Sequence, residues 1–547
     1  MAHMSEHEYQ FTSTERPLLP GGPYSPAHPG WRRAVYFGVA LMTAVTATLG
    51  NGLVSTNVQS IAGSAGEYVA AVSILPAIYV AMNATGNLSI VKARIQWGIP
   101  AITNGALAVY AFVAMLQLLF PTYAMALAVR AANGLAASAL FTVTVYYLLQ
   151  LFPPKLRPAA LVIGLGFTQL GVPLARLFPV EMLAQHHWQN LHLVEFALPL
   201  VTLALMNAFP LPPSDKGKAF EPLDFLTIGL LVPAMLLICS VLGLGRVYWW
   251  TDTPWLGWTL AASVPLLGIA VLIETHRTKP LLQLGWIGSG VILRFAGVAF
   301  LMRIALAEQN YGSVGLLSSG GLNNEQLRTV FIIVLGAMFL GIATAVLTLH
   351  AERLRQQVIV AALSIALGAW LDSHATNLTR PHELYFSQAL IGFGATLFIG
   401  PALAFGFLRM MKLGPAYFVS LVVLFSSTQN VGSLAGSALL GSYQVIAARA
   451  HASALAEHLT AADPQVVARI QSGTHLLAGS VSDPAQQLAQ GSALLAQAQA
   501  REATILAFND VFGLVSLLAL ATAVFTLGLI LRDRWRAWPR VAAGVST

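Results

Sequence analysis

A positively charged side chain, Arg130, lies inside an apolar run from about Tyr123 to Phe152. Such a run is long enough to cross a bilayer as a helix, at about 1.5 Å per residue. A guanidinium in the bilayer core costs at least ~2.5–3.5 kcal/mol, so we expect Arg130 to face protein or a water-filled cavity. Two roles are open: a tie between two helices, or a charge that contacts a substrate or a proton-binding group. Asn133 and Gly134 follow on the same helical face.

Three carboxylic acids within or at the ends of apolar runs could carry a proton: Glu67, Glu195 and Asp510. Burial favours the neutral acid and a nearby cation favours the carboxylate, so a membrane cavity can tune such a group for proton transfer. Each could instead be an interfacial carboxylate that faces water. Together with Arg130, these acids are the candidates for proton coupling.

Other polar side chains in apolar runs could line a substrate cavity. These candidates are Asn51, Asn133, Gln169, Arg303, Gln429 and Asn430. Glu308 follows Arg303 by five residues, and a simple structural pair between them is as plausible as a contact with substrate. Small or helix-bending residues in the same runs predict close helix packing or gating. They are Gly134, Gly166, Gly171, Pro173, Gly432 and Gly436.

The composition is that of an integral membrane protein, because 56% of the 547 residues are hydrophobic and only 9% are charged. The single cysteine, Cys239, allows no disulfide within the chain and no Cys/His metal cluster, and we predict no metal and no cofactor. The net charge of +7 comes from bases that flank apolar runs, which favours a role in topology over nucleic-acid binding. No zinc-protease, nucleophile-elbow or P-loop motif occurs in a plausible context, so an enzyme is not expected.

Hydropathy predicts an all-α protein with fourteen membrane spans. They cover residues 34–54, 67–88, 99–120, 123–151, 158–180, 191–210, 222–245, 255–275, 287–307, 328–349, 357–371, 384–408, 416–443 and 504–531. With the N-terminus inside, most of the 29 lysines and arginines fall on the cytoplasmic side, which predicts that both termini are cytoplasmic.

Composition shifts divide the chain further. The predicted parts are a flexible cytoplasmic tail (1–33), a bundle of six spans (34–210), a two-helix hairpin (222–275), a second bundle of six spans (287–531) and a cytoplasmic tail (532–547). Within the second bundle, residues 444–503 are too polar to span and predict a helical extension on the outer side. Asp463-Pro464 and Asp483-Pro484 each predict a helix start, and Gly473 and Gly491 are candidate breaks. The extension could be a folded loop or a docking surface for another protein.

Several of these stretches resemble the major facilitator superfamily. Arg130-Ala-Ala-Asn-Gly134 matches the Arg-x-x-x-Gly motif of its fourth helix, and Gly166 through Pro173 resembles a degenerate form of its fifth-helix antiporter motif. Fourteen spans and Gln429-Asn-Val-Gly-Ser-Leu-Ala-Gly436 are similar to the 14-helix drug:H⁺ antiporters. The helical extension that leads into the last span resembles the EmrB-type multidrug exporters.

This resemblance implies two six-helix bundles with the hairpin beside them, and alternating access around a central cavity. It implies export of small drug-like molecules in exchange for protons across the bacterial inner membrane. It also implies an EmrA-like periplasmic adaptor and a TolC-like outer-membrane channel as partners. Asn51 stands where the family usually has an acidic residue, and Ile90 where the loop after the second helix usually has Asp. An uncoupled facilitator and a non-transporting membrane scaffold or sensor are the alternative functions.

Overall fold

The computed structural model describes residue 12, residues 15–17, residue 19 and residues 21–178, 189–460, 462–477 and 483–542. For residues 189, 415, 476, 477 and 536–542 it describes the backbone alone. The α-helices are α1 (Gly30–Thr56), α2 (Val58–Ala65), α3 (Val69–Trp97), α4 (Ile99–Leu119), α5 (Tyr123–Leu149), α6 (Arg157–Thr168), α7 (Gly171–Ala175), α8 (Gln189–Ala208), α9 (Pro222–Tyr248), α10 (Pro254–His276), α11 (Leu284–Ile287), α12 (Gly290–Ala305), α13 (Glu308–Ser319), α14 (Asn324–Leu347), α15 (Leu354–Asp372), α16 (Tyr385–Met411), α17 (Phe418–Glu457), α18 (Pro464–Leu477) and α19 (Pro484–Ala542).

Fourteen helical segments of the described chain are long and apolar enough to cross a membrane. They are α1, α3, α4, α5, α6 with α7, α8, α9, α10, α12 with α13, α14, α15, α16, α17 and α19. The prediction of an all-α membrane protein with fourteen spans is therefore confirmed. Because the number of candidate spans is even, the start of α1 and the end of α19 lie on one side, here called the terminus side. The opposite side is called the distal side.

The hairpin of α9 and α10 lies at the edge of the molecule. In the most apolar 18-residue stretch of each helix, only 22% and 17% of the residues are buried inside the protein. The corresponding share for the span that contains α16 is 83%. A cluster of charges fixes the hairpin on the terminus side. Asp224 of α9 accepts hydrogen bonds from Lys92 of α3 at 2.6 Å and from Arg277 at 2.8 Å, and Arg277 also donates to Glu274 of α10 at 2.8 Å.

The ninth span differs from the prediction of residues 287–307. It covers Gly290–Ser319 and is interrupted between Ala305 and Glu308, so that Glu308 lies within the span and not beyond its end. Glu308 is fully buried, with 0% exposure. A sequence reading that ends a span at the first acidic residue fails here, because protein side chains, and not lipid, surround this carboxylate.

The extension is a continuation of two spans. α17 and α19 run unbroken from the apolar core into residues 444–503, and α18 packs against α19. Asp463 and Asp483 cap the next helices as predicted, accepting hydrogen bonds from the backbone N–H groups of Gln465 and Ala485. The predicted breaks at Gly473 and Gly491 are wrong. Both glycines lie inside helices and contact each other, because the missing side chains let α18 and α19 cross closely.

Residues 21–29 differ from the flexible tail that the sequence predicts. Tyr24 donates to Asp215 at 2.8 Å, and Arg157 donates to the carbonyl of Ser25 at 3.3 Å. The His28 ring contacts the Gln150 side-chain oxygen at 3.0 Å and is 9% exposed. These polar partners, at the ends of α5 and α6 and in the loop after α8, hold the segment against the terminus side.

The helices before the hairpin (α1–α8) and those after it (α11–α19), here called the N-terminal and C-terminal bundles, touch on both sides of the molecule. On the distal side, Asn324 of α14 accepts a hydrogen bond from Arg176 at 2.6 Å and donates one to Asn57 at 2.8 Å. Toward the terminus side, Asn87 of α3 donates to Ser426 of α17 at 3.1 Å. The bundles are thus closed against each other at both ends.

Candidate functional site

The core of the N-terminal bundle contains a buried ion pair. α5 begins at an N-cap, where Thr122 accepts from the backbone N–H of Met125, and continues for 27 residues, placing Arg130 two turns into the span. Arg130 is 2% exposed and donates to Glu195 of α8, which is 1% exposed. The fold thus brings together two charged residues, on α5 and α8, that the sequence predicts as separate candidates for proton coupling.

Two further side chains extend this pair. The second oxygen of Glu195 lies 3.4 Å from Nδ1 of His192, one turn earlier on α8. Nε2 of His192 lies 3.5 Å from the side-chain nitrogen of Gln117, a group that can only donate. The His192 ring thus lies between the Glu195 carboxylate and the Gln117 amide. The sequence analysis missed both residues, although the i, i+3 spacing of His192 and Glu195 places them on one helical face.

A pocket connects this group with the distal side. Its lining includes Arg130, Glu195, His192 and Gln117 in the interior, and Glu67 with apolar residues of α2, α3 and α5. Glu67 is exposed, as an interfacial carboxylate would be. The pocket therefore brings three of the four predicted proton-coupling residues to one place, with Glu67 the outermost of them.

Several polar atoms beside the ion pair have no hydrogen-bond partner in the described structure. These are Nη1 of Arg130, the hydroxyl of Tyr110 and both side-chain polar atoms of Asn133. A Cβ atom added at Gly50 would lie 2.6 Å from the nitrogen of Asn133 and 2.8 Å from the Tyr110 hydroxyl. A buried polar group without a partner costs about 1–3 kcal/mol. Water or a polar solute that forms hydrogen bonds with these groups would therefore stabilise this region.

The fourth predicted proton-coupling residue lies elsewhere. Asp510, on α19, is 2.7 Å from Nε2 of His451 on α17, and its side chain is 41% exposed. This pair joins the two helices that lead into the extension.

A second polar group lies between the two bundles. Arg303 of α12 donates to the side-chain oxygen of Gln169 at 3.2 Å, to the backbone carbonyl of Gln429 at 3.2 Å and to the hydroxyl of Ser433 at 3.2 Å. A structural pair between Arg303 and Glu308 is therefore wrong, because these three oxygens hold the guanidinium and Glu308 has another partner, Gln388.

The predicted substrate-cavity residues thus fall into two groups. Gln169, Arg303, Gln429 and Asn430 lie where the bundles meet; Asn430 accepts from Asn83 of α3 at 3.4 Å. Asn133 lies inside the N-terminal bundle beside Gly50. Within the described part of the chain, the buried side-chain oxygen of Asn51 and side-chain nitrogen of Gln429 have no hydrogen-bond partner.

The small residues predicted for packing lie at close helix contacts. An added Cβ at Gly134 would meet the Tyr79 carbonyl oxygen at 2.6 Å, and one at Gly171 would meet the Thr48 side chain at 2.3 Å. Pro173 is buried in α7, next to these contacts. Three more close approaches are Gly166 to Ile342, Gly432 to Arg303 and Gly436 to Ala307. The contact between Gly166 and Ile342 joins the two bundles.

The fold is similar to that of solved transporter structures. A bacterial homologue of the human drug peptide transporters PepT1 and PepT2 matches with a TM-score of 0.52 and 13% identity, over 92% of this chain and 99% of that one. The human organic anion transporter MFSD10 (TETRAN) matches with a TM-score of 0.50 and 15% identity, over 90% and 100%. A structure from work on proton-dependent oligopeptide transporters matches with a TM-score of 0.51 and 13% identity, over 91% and 99%. The chain is therefore a multi-pass membrane protein with the major facilitator fold.

Comparisons of the sequence, unlike the comparison of the fold, find no similar protein. A scan against models of protein families and a search of curated proteins each find no match.

Proposed function

We propose that this protein exports hydrophobic or amphipathic organic molecules by alternating access, in exchange for protons. The buried group of Arg130, Glu195 and His192 carries the proposal, because it combines an ion pair, a titratable ring and a pocket that reaches the distal side. A proton that enters the pocket can neutralise Glu195 and release Arg130. Charged groups inside a membrane protein are costly, and they commonly mark proton or substrate pathways.

The contact between the bundles supports a substrate route. Arg303, Gln169 and Gln429 form a polar region between the two bundles, and the side-chain nitrogen of Gln429 lacks a partner. Polar groups of this kind fix the orientation of an amphipathic solute, while the surrounding apolar side chains accept its hydrophobic part. In this proposal, substrate and proton occupy different places and are coupled by the movement of the bundles.

Reconstituted vesicles with a pH indicator inside test the coupling. An amphipathic fluorescent dye and an imposed pH gradient should give dye movement together with proton movement. Glu195→Gln should still bind dye but should no longer follow the gradient, since an amide does not titrate. Asp252→Asn is the matched control, because Asp252 is an exposed carboxylate in the turn between α9 and α10.

The alternative functions give different results in the same vesicles. Dye movement that ignores the gradient in the unmodified protein identifies an uncoupled facilitator. If the dye binds and neither dye nor protons cross, the chain is a scaffold or a sensor that retains the fold.

We further propose that the extension binds an EmrA-like periplasmic adaptor, and through it a TolC-like outer-membrane channel. In this proposal the protein lies in the bacterial inner membrane with both termini in the cytoplasm. Exposed apolar side chains on α18 and α19 support a docking role: Val467 is 37%, Leu488 56% and Leu494 41% exposed.

Replacing residues 458–483 by a short Gly/Ser linker removes α18 and leaves α17 and α19 intact. Vesicle transport should persist while co-purification of the adaptor is reduced or lost; adaptor recovered at an unchanged yield would show that α18 does not take part in docking.

A further inference from the structure

The C-terminal bundle contains a pair of buried carboxylates that the proposed function does not use. Glu308 is the first residue of α13, directly after the interruption of the ninth span, and Asp372 is the last residue of α15. Their exposures are 0% and 1%. The sequence analysis did not single out Asp372, because it ends an apolar run and resembles an interfacial acid.

One amide group bridges the two carboxylates. The side-chain nitrogen of Gln388, on α16, donates to Oδ2 of Asp372 at 2.7 Å and to Oε1 of Glu308 at 3.2 Å. Gln388 is itself 1% exposed. The other oxygen of Glu308 is buried and has no hydrogen-bond partner among the described residues. Three helices thus converge on a polar site with one acceptor position unused.

Among the described residues, no Lys, Arg or His makes a salt bridge with either acid. The charged and titratable groups on neighbouring helices have other partners. On α13, Tyr311 accepts from Arg246 at 2.8 Å, and on α19, Asp510 contacts His451 at 2.7 Å. Phe512 of α19 packs beside Gly312 of α13, one turn from Glu308, and adds an apolar wall.

Electrostatics then determines how many protons the pair holds. Two carboxylates that share one hydrogen-bond donor, away from water and cations, cannot both be ionised at low cost.

We infer that Glu308 and Asp372 form a second proton-binding site, which holds one proton between the two carboxyl groups in the closed state. The proton resides on one carboxyl oxygen, and the other group remains a carboxylate that accepts from Gln388. When the site opens to water, the proton leaves as hydronium and both groups ionise. The inference rests on the proposed transport function for its physiological meaning, but proton binding itself can be measured without transport.

Infrared difference spectroscopy of the purified full-length protein in nanodiscs tests the site. A protonated buried carboxyl gives a C=O stretching band that a carboxylate lacks. We expect such a band at neutral pH, and we expect Glu308→Gln and Asp372→Asn each to remove or shift it. Asp252→Asn, which removes an exposed carboxylate, should leave it unchanged.

The outcomes distinguish a failure of the site from a failure of the proposed transport function. If the unmodified protein lacks the band, or if the band survives both substitutions, the inference is overturned. If sodium ions abolish the band at constant pH, a monovalent cation and not a proton occupies the site, which also overturns it. A variant that fails to fold loses its size-exclusion peak; Gln388→Glu then serves in place of that variant and should alter the band by adding a third acid. A protein that shows the band but moves no protons in vesicles retains the site and refutes the proposed function instead.

Discussion

Arg130 and Glu195 neutralise each other where neither could remain alone. Burying one charge without its partner is expensive, whereas a well-packed apolar pair of similar volume is often neutral or stabilising. Replacing both charges by apolar side chains therefore distinguishes a structural role of the ion pair, which the apolar pair can fulfil, from a functional role, which it cannot. Arg130 could be recognised in the sequence because a charge in an apolar run is conspicuous. Its partner could not be assigned, since that depends on how α5 and α8 face each other.

Arg130→Ala should lower the free energy of unfolding by about 3–5 kcal/mol and abolish transport, because Glu195 is left buried without a cation. The double variant Arg130→Met, Glu195→Leu should recover most of the stability and none of the proton coupling. Thermal unfolding in detergent and vesicle transport measure the two effects. Coupled transport by the stable double variant would show that the pair only ties helices together.

Arg130→Lys should retain only part of the transport activity, since an ammonium lacks the guanidinium's planar arrangement of donors.

His28 predicts a pH dependence on the terminus side. Burial lowers the pKa of His28 below its ordinary value, the Gln150 contact opposes this, and Arg32 and Arg33 lower it further. The undocked segment therefore binds a proton more readily than the docked one. The stability that His28 contributes is complete above its ordinary pKa of about 6.5 and is lost as the pH falls through the lowered value.

Hydrogen exchange of residues 21–29 should therefore accelerate as the pH is lowered from about 7.5 to about 5.5, after correction for the intrinsic exchange rate. His28→Gln should remove most of this pH dependence, since an amide can still pair with Gln150 but does not titrate. An equal acceleration in that variant would assign the effect to another group, such as the contact between Tyr24 and Asp215.

Among the helices, the long ones of the C-terminal half show what sequence patterns can and cannot predict. The Asp-Pro pairs locate the starts of α18 and α19, because capping and the fixed backbone angle of proline act locally. In the sequence, Gly473 and Gly491 resemble helix breaks. In the structure, they lie inside helices and allow α18 and α19 to pack closely. Only the packing partner distinguishes these two uses of glycine.

The crossing of α18 and α19 gives a prediction with an internal control. A Cβ at Gly491 would lie 2.6 Å from the Ile470 carbonyl oxygen, whereas one at Gly513, on the same helix, meets no atom within 4 Å. Gly491→Leu should displace α18 and make it sensitive to limited proteolysis, and Gly513→Leu should not. Equal resistance of the two variants would mean that α18 does not pack at this position.

For the whole molecule, contacts between the bundles on both sides describe a closed state. Hydropathy could predict fourteen spans, and the Arg130 motif could suggest the fold. The contacts of Asn324 with Arg176 and Asn57, and of Asn87 with Ser426, join residues more than a hundred positions apart. No local pattern encodes such pairs. The length of the ninth span was missed for a related reason, since its buried Glu308 is held by Gln388 from another span.

Disulfide cross-links between these residues should arrest alternating access. Asn57→Cys with Asn324→Cys locks the distal side, and Asn87→Cys with Ser426→Cys locks the opposite end. Each pair should stop vesicle transport when oxidised and restore it on reduction. The native Cys239 is buried, so it should not interfere.

Asn104→Cys with Asn207→Cys is the matched control, because these side chains are 2.9 Å apart within one bundle. It should cross-link without loss of transport. Persistent transport by either fully oxidised inter-bundle pair would contradict a rigid-body movement of the bundles.

The unbroken course of α17 gives the extension the properties of a lever. Its 40 residues make a rod of about 60 Å, and α19 runs beside it as a second rod. A tilt of about 10° at the membrane would move a point about 30 Å further along such a rod by about 5 Å. The proposed movement of the bundles inside the bilayer would thereby be converted into displacement outside it. A protein bound to the extension would be pushed and released once in every turnover.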